Sequence, residues 1–237
     1  AGGSSTGDYN TLIGGKCGQN VSSGEGNTAI GQDCLKSNST HDGCTAIGKE
    51  ALQNSTANYL TAVGYRALKA NTTGYNNTAI GYLAASGVTT ATDVTAIGHN
   101  CLSAATTPTS TIAIGYNCAS TMTTGAVNTM VGWSSHYFST TAYANASFGY
   151  FAGYTCTTGS YNTNLGYGAG LGNSTGNRNT CVGGQAGYGV SNSTNGSNNV
   201  YVGYGAGKSV TTASTNVCVG KDAGNSLTTG DNNIIIG

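Results

Sequence analysis

The chain repeats itself every seventeen residues along its whole length. The tetrads Thr28-Ala29-Ile30-Gly31, Thr45-Ala46-Ile47-Gly48, Thr78-Ala79-Ile80-Gly81 and Thr95-Ala96-Ile97-Gly98 are copies of one unit. Following the unit's glycine gives fourteen anchors, from Gly14 to Gly237. Eleven intervals are 17 residues, one (Gly48 to Gly64) is 16, and one (Gly183 to Gly203) is 20. Self-similarity at a short fixed period marks a fold made by stacking one supersecondary unit on the next. The whole chain, 1–237, therefore reads as a single repeat domain.

The columns of the repeat decide which unit. The residue before each anchor is Ile, Val, Leu or Phe in all fourteen copies, from Ile13 to Ile236. Two places earlier the column is mostly Thr, and a small residue such as Ala29 or Ala79 lies between. This period-two alternation of β-branched residues predicts a strand with the Thr and Ile columns on one face. Four places before the anchor, Asn recurs in ten copies, among them Asn10, Asn77 and Asn162. A helix is excluded, because several Gly, Thr and Asn per repeat cannot hold an apolar stripe of period 3.6. Two short strands and two turns fit. The expectation is an all-β fold, a parallel β-solenoid (β-roll) of about fourteen 17-residue coils. With a spacing of about 4.8 Å, they would form a rod of roughly 65 Å. Like residues would then form ladders, Asn on Asn, Thr on Thr and Ile on Ile. The insertion around Ser193-Thr194-Asn195 is expected to bulge from a turn.

Composition removes several functions. Only 7% of residues are charged, and eight basic residues balance eight acidic ones. Without a concentrated basic footprint, neither nucleic acid nor an anionic membrane surface is an expected partner. No apolar run approaches the length of a membrane span, so no membrane insertion is expected. The 39 glycines lack the three-residue period of collagen. No signal-peptide pattern is present, so any export signal has been removed or lies outside this sequence.

Candidate chemistry is sparse. Cys17, Cys34, Cys101 and Cys118 share a column otherwise filled almost entirely by Ala. They are either slightly larger buried alanines or disulfides between adjacent coils, Cys17 to Cys34 and Cys101 to Cys118. Cys181 and Cys218 share a column two coils apart, too far to bond, and Cys44 and Cys156 have no mates. No C-x-x-C supports zinc, and no cofactor is expected. His41, His99 and His136 fall in different columns and read as surface residues. The acids are scattered one per coil or fewer, so no catalytic constellation is expected and the chain is read as not an enzyme.

Three polar or aromatic columns remain. Tyr65, Tyr82, Tyr116, Trp133, Tyr150, Tyr167 and Tyr204 follow the anchors. They could stack sugars, but a structural ladder is the preferred reading. The densest aromatic cluster gathers Trp133, His136, Tyr137, Phe138, Tyr150, Phe151 and Tyr154. A receptor contact is sought first at Trp133, Tyr137, Tyr150 and Tyr154. Recurrent Thr-Thr pairs raise an ice-binding alternative, weakened because adjacent strand residues point to opposite faces and leave one outward Thr row. Sequons begin at Asn38, Asn54, Asn71 and Asn173 in the same turn. In a secretory setting they would place glycans along one edge, although Ser/Thr/Asn-rich turns also produce the motif by chance.

The unit Asn77-Thr78-Ala79-Ile80-Gly81-Tyr82, preceded by Asn71-Thr72-Thr73-Gly74, resembles the head repeat of trimeric autotransporter adhesins. It is closer to the 17-residue repeat of bacterial and phage tail-fibre-domain proteins. The resemblance spans essentially the entire chain. It implies a parallel β-roll, often trimeric, on a surface-exposed fibre used for attachment. A thin roll has little core, and small cores usually need help. The Ala column beside the Ile column would let neighbouring chains approach closely, so a homotrimer and a single-chain stack are both retained. The apolar last strand, Ile234-Ile235-Ile236, adds an expectation of end-to-end stacking or of a segment of a longer fibre. The functional expectation is a non-catalytic structural component of an extracellular or virion fibre. It would mediate adhesion, host attachment or filament assembly and meet a cell-surface glycan receptor. The alternative is a carbohydrate-binding or ice-binding solenoid module.

Overall fold

The computed structural model of the chain describes residues 6–37, 39–189 and 196–237. Asn38 and the insertion at Ser193-Thr194-Asn195 lie outside the described residues. The fold is an all-β parallel β-solenoid, and no helix occurs among the described residues. It divides into two units, Ala1–Ile114 and Gly115–Gly237. The first carries β1 (Thr11–Ile13), β2 (Thr28–Ile30), β3 (Thr45–Ile47), β4 (Thr61–Val63), β5 (Thr78–Ile80), β6 (Thr95–Ile97) and β7 (Ile112–Ile114). The second carries β8 (Thr129–Val131), β9 (Ala146–Phe148), β10 (Thr163–Leu165), β11 (Thr180–Val182), β12 (Val200–Val202), β13 (Val217–Val219) and β14 (Ile234–Ile236). Within each unit every strand pairs in parallel with the next, like on like: Thr28 with Thr45, Ala29 with Ala46, Ile30 with Ile47.

Each coil has one strand, not the two expected from the repeat. The remainder is an arc of left-handed turns. Among the described residues thirty non-glycine residues have positive φ, including Lys16 (55°), Leu35 (46°) and Tyr59 (57°). Such a conformation costs roughly 1–2 kcal/mol per residue, and here hydrogen bonding offsets it. Around the arc, amides alternate between bonds to neighbouring coils and bonds within the coil. Asp33 N donates to Gly15 O (2.9 Å) and Gly18 N to Cys34 O (3.0 Å), while Val21 N closes onto Gly18 O (3.1 Å). The inter-coil ladder thus continues where the backbone is no longer extended. The anchor itself must be glycine. Gly31 has φ 140°, and a Cβ there would lie 2.6 Å from the Gly48 carbonyl oxygen.

The strand's central residue points inward and its neighbours point out. Ala29, Ala46, Ala62 and Ala79 are fully buried, whereas Ile30 and Ile47 are each 37% exposed. This corrects the expectation that the Ala column lets another chain approach. It faces the chain's own arc, because the arc sends leucines back across the coil. The two facing columns compensate in volume. Ala29, Ala46, Ala62 and Ala96 are paired along the repeat with buried Leu35, Leu52, Leu68 and Leu102. Where the strand residue is large, the arc residue is glycine. A Cβ on Gly18 would meet both methyls of Leu12 at 2.8 Å, and one on Gly187 would meet Tyr201 Cδ2 at 2.8 Å. Ala79 with Ala85 and Ala113 with Ala119 are small in both columns, whereas Met130 with His136 is large in both, and there the next coil returns space: Gly153 yields its Cβ space to the His136 ring beside small Ser147.

Side-chain ladders hold the register. In the second unit, Asn128, Asn145, Asn162, Asn179, Asn199, Asn216 and Asn233 stack without interruption. Each Oδ1 accepts the next asparagine's backbone N–H, as at Asn145 (2.9 Å), Asn162 (2.8 Å) and Asn179 (2.9 Å). Nδ2 reaches a turn carbonyl of the next coil, Asn145 to Gly159 (2.9 Å) and Asn199 to Ala213 (2.8 Å). At the far end of the arc, ladder threonines donate to the following coil's carbonyl, Thr72 to Thr89 (3.2 Å) and Thr140 to Thr157 (3.1 Å).

Volume compensation is testable by exchange. Tyr201→Ala is expected to cost about 3–5 kcal/mol. Gly207→Leu alone should be destabilising as well, since its side chain would enter the Tyr201 ring. The double variant recreates the Ala29–Leu35 pairing, and in chemical denaturation it should recover more than half of the summed loss. A double variant no more stable than the worse single would refute the compensation.

Candidate functional site

The aromatic column is a stacked ladder. In the first unit Tyr65 lies 5.3 Å from Tyr82 at an interplanar angle of 20°. Tyr82 lies 5.0 Å from His99 at 13°. His99 is therefore an exposed rung of this column, a role legible from its place directly after Gly98. In the second unit the ladder runs Tyr116–Trp133 (4.4 Å), Trp133–Tyr150 (6.1 Å) and Tyr150–Tyr167 (5.6 Å). Rings stacked in this way turn their faces to one another and leave edges outward. The interior rungs of the column therefore offer ring edges rather than faces to the outside.

A second aromatic row joins it across one corner. Phe151 lies 4.2 Å from Tyr150 and 4.5 Å from Tyr154. Tyr154 stacks on Tyr137 at 5.6 Å, and Phe138 stands nearly perpendicular to both, 4.8 Å from Tyr137 and 5.2 Å from Tyr154. The four residues singled out from the sequence, Trp133, Tyr137, Tyr150 and Tyr154, thus belong to one contiguous patch. Phe138, not among those four, is 44% exposed and lines an open depression of about 400 Å³ with Thr121, Thr140, Thr155 and Thr157. The threonine hydroxyls donate to backbone carbonyls, Thr121 to Tyr137 (2.6 Å) and Thr157 to Ser174 (3.0 Å), so toward a ligand they can act as acceptors. Burial, then the neighbouring Tyr137 and Tyr150, push the Tyr154 phenol up. Lys, Arg, Asp and Glu are all absent from residues 94–177, so the patch and its surroundings carry no carboxylate, ammonium or guanidinium.

His136 is fully buried, which corrects its reading as a surface residue. It occupies the arc column filled elsewhere by Leu35 or Leu52, and the space left by Gly153 admits its ring. Neither ring nitrogen has a hydrogen-bond partner among the described residues. Desolvation pushes its pKa down from 6.5 to about 4.

All eight cysteines are free thiols, and all are buried. Cys17 and Cys34 approach to 3.0 Å between sulfurs, and Cys17 Sγ also lies 3.1 Å from the Ala29 carbonyl. Cys101, in the first unit, donates to Ala113 O (3.0 Å), and Cys118, in the second, to Met130 O (3.3 Å). The four cysteines of the alanine column are thus enclosed in the core, with the Cys17 and Cys34 sulfurs adjacent. Burial pushes Cys156 and Cys181 up to about 12, which leaves little thiolate for chemistry. Cys44 has a role that its spacing from other cysteines hid. It stands in the asparagine column, with its N–H on Asn27 Oδ1 (3.0 Å).

The sequons separate by burial. Asn54 is exposed. Asn71 is fully buried with Oδ1 accepting from Ser55 Oγ (3.1 Å), and Asn173 is 7% exposed with Oδ1 accepting the Gly176 N–H (2.9 Å). Glycans on Asn71 and Asn173 are thus corrected: both side chains sit in the core column that also holds Val21 and Val88, one residue beyond the Asn54 column. A scan against models of known protein families finds no match, and a search of curated proteins finds no relative.

Two outcomes follow from these placements. The unfolded histidine binds a proton near pH 6.5 and the folded one only near 4, so stability is full above 6.5. It should fall by ~3 kcal/mol as the pH drops from 6.5 to about 4. His136→Leu should remove that slope in urea titrations across this range; an unchanged slope would assign it elsewhere. Expressed through a secretory pathway, the folded chain should carry no glycan at Asn71 or Asn173 and accept one at Asn54. Peptide mass spectrometry reads this directly.

Proposed function

We propose that the chain is a non-catalytic structural component of an extracellular or virion fibre, serving attachment or filament assembly. The observation that carries this reading is the continuity of its ladders. Strand, arc and turn all bond from coil to coil, through backbone and side chain alike. The groups that chemistry would need are engaged in the architecture. Asp42 and Asp231 accept the Glu25 and Ser214 amides. Glu50 is held by Lys69 (2.6 Å) and Arg66 (2.8 Å), whose hydrogen bonds push its pKa down. Immunogold labelling of the producing cell or particle should decorate surface fibres. Label confined to the cell interior would overturn the reading.

A second reading, recognition of a neutral carbohydrate, is favoured by the aromatic patch with its threonine-lined depression. An uncharged surface gives no ion pair to a sulfated or uronic sugar, whereas aromatic rings and hydroxyls suit a neutral pyranose. Ice binding is less favoured, since the ladder threonines spend their hydroxyl protons on the next coil. Trp133 is the only tryptophan and lies in the patch, so its fluorescence reports locally. Cellohexaose or maltohexaose should perturb the emission and heparin should not. Phe138→Ala should weaken the response about tenfold, the scale of one aromatic contact. A response to heparin alone would reverse this reading.

A further inference from the structure

Charge in the first unit is sorted to the two edges of its strand face. All five of its cations, Lys16, Lys36, Lys49, Arg66 and Lys69, lie on the arc just after the strands, opposed there by only two acids, Asp33 and Glu50. The other four acids, Asp8, Glu25, Asp42 and Asp93, lie just before the strands, where the unit has no cation. Between the edges runs the outward face of β1 to β7, with Ile30, Ile47, Ile80 and Ile112 each 37–40% exposed. An apolar strip is therefore bordered by negative charge on one side and positive charge on the other.

We infer that this face docks a second copy of the chain, face to face and parallel, about a two-fold axis running along the coil stack. The charge pattern selects the arrangement. A two-fold along the stack lays each acidic edge over the partner's basic edge, twice per dimer. A two-fold across the stack, which would make the copies antiparallel, lays acid on acid and base on base. Like charges face to face are penalised, and opposite ones steer association. Seven coils about 4.8 Å apart span about 30 Å and three-residue strands are about 10 Å long, so the apolar strip covers ~300 Å², and the flanking charged edges have to supply the rest of the ~800 Å² per partner of a standard interface. The dimer should accordingly be concentration-dependent. This association goes beyond the attachment role and does not require it.

Sedimentation velocity of the full chain across salt concentrations tests the inference. Between about 0.15 M and about 0.01 M salt the Debye length grows from about 8 to about 30 Å, and dimerisation should tighten about tenfold or more. Association that weakens as salt falls would mean like edges face each other and would overturn the parallel arrangement. A species that stays monomeric throughout, or a trimer, would overturn the dimer. Two edge variants extend the test. Asp8→Lys with Glu25→Lys and Asp93→Lys turns the acidic edge positive, so that both edges are positive, and Lys16→Glu with Lys49→Glu makes both negative. Asp42 is left intact because it holds the Glu25 amide. Each variant alone should lose low-salt dimerisation at least tenfold, and an equimolar mixture should regain it. Variants that associate like the parent, or a mixture that does not recover, would refute the role of the edges. The parent's salt response decides the matter even if a variant folds poorly.

Discussion

Everything in this fold depends on how closely one anchor glycine sits on the next. The carbonyl of Gly48 lies where a Cβ of Gly31 would be, and the same contact recurs from coil to coil within each unit. Two constraints meet there, a φ near 140° and the absence of space, and only glycine satisfies both. With the anchors in register, the outward Thr and Ile columns, the inward Ala column and the asparagine ladder follow as repeats of one geometry. Length changes must then fall where the ladders do not run. The sixteen-residue coil between Gly48 and Gly64 shows this. It goes directly from ladder Thr56 to Ala57, omitting the exposed residue that Thr73 supplies in the next coil.

Much of the fold is legible in the sequence because a repeat multiplies weak signals. One Asn-Thr-Ala-Ile-Gly says little, but ten asparagines in one column point to a ladder, and the ladder is present. What stayed hidden is the sense of the alternation. A period-two pattern separates two faces without saying which is buried. Hydrophobicity alone would bury the Ile column, yet Ile30 is partly exposed and Ala29 is enclosed. The reason lies in the arc: left-handed turns throw Leu35 back across the coil, leaving room opposite only for a methyl. That backbone path has no sequence signature when non-glycine residues such as Leu35 and His136 adopt positive φ. His136 reads as a surface residue for the same cause, since nothing in the sequence marks its column as interior. The aromatic patch was legible as a cluster, whereas the depression beside Phe138 depends on how its ring crosses the Tyr137–Tyr154 pair.

The interior has few independent parts, and this explains how its residues vary. Each coil's core is built from a few columns, and the strand residue facing the arc residue six places on is the pair in which volume is traded in many of the coils. A Leu12 needs a Gly18 and an Ala62 needs a Leu68; where His136 and Met130 exceed the space, Gly153 and Ser147 return it one coil later. Stability in such an array is approximately a sum of coil terms and nearest-neighbour terms. A badly packed coil is therefore felt mainly by the coils that touch it, which allows large, small, thiol and imidazole side chains to succeed one another along a single column.

The same stacking explains why the surface is nearly uncharged. A residue placed in a ladder column meets its equivalent about 4.8 Å above and below, and two like charges near that distance repel by roughly 1 kcal/mol even in water. Asn, Ser and Thr avoid this penalty and gain hydrogen bonds from the repetition. The stacked acids Asp8, Glu25 and Asp42 are an exception with a compensation on the page, since Asp42 accepts the Glu25 amide in place of another coil's carbonyl. Charge is thus tolerated at the corners and edges, in the first unit, and is missing from 94 to 177. In that neutral stretch the exposed groups are ring edges and hydroxyls, from Tyr116 to Tyr167, with no carboxylate, ammonium or guanidinium among them.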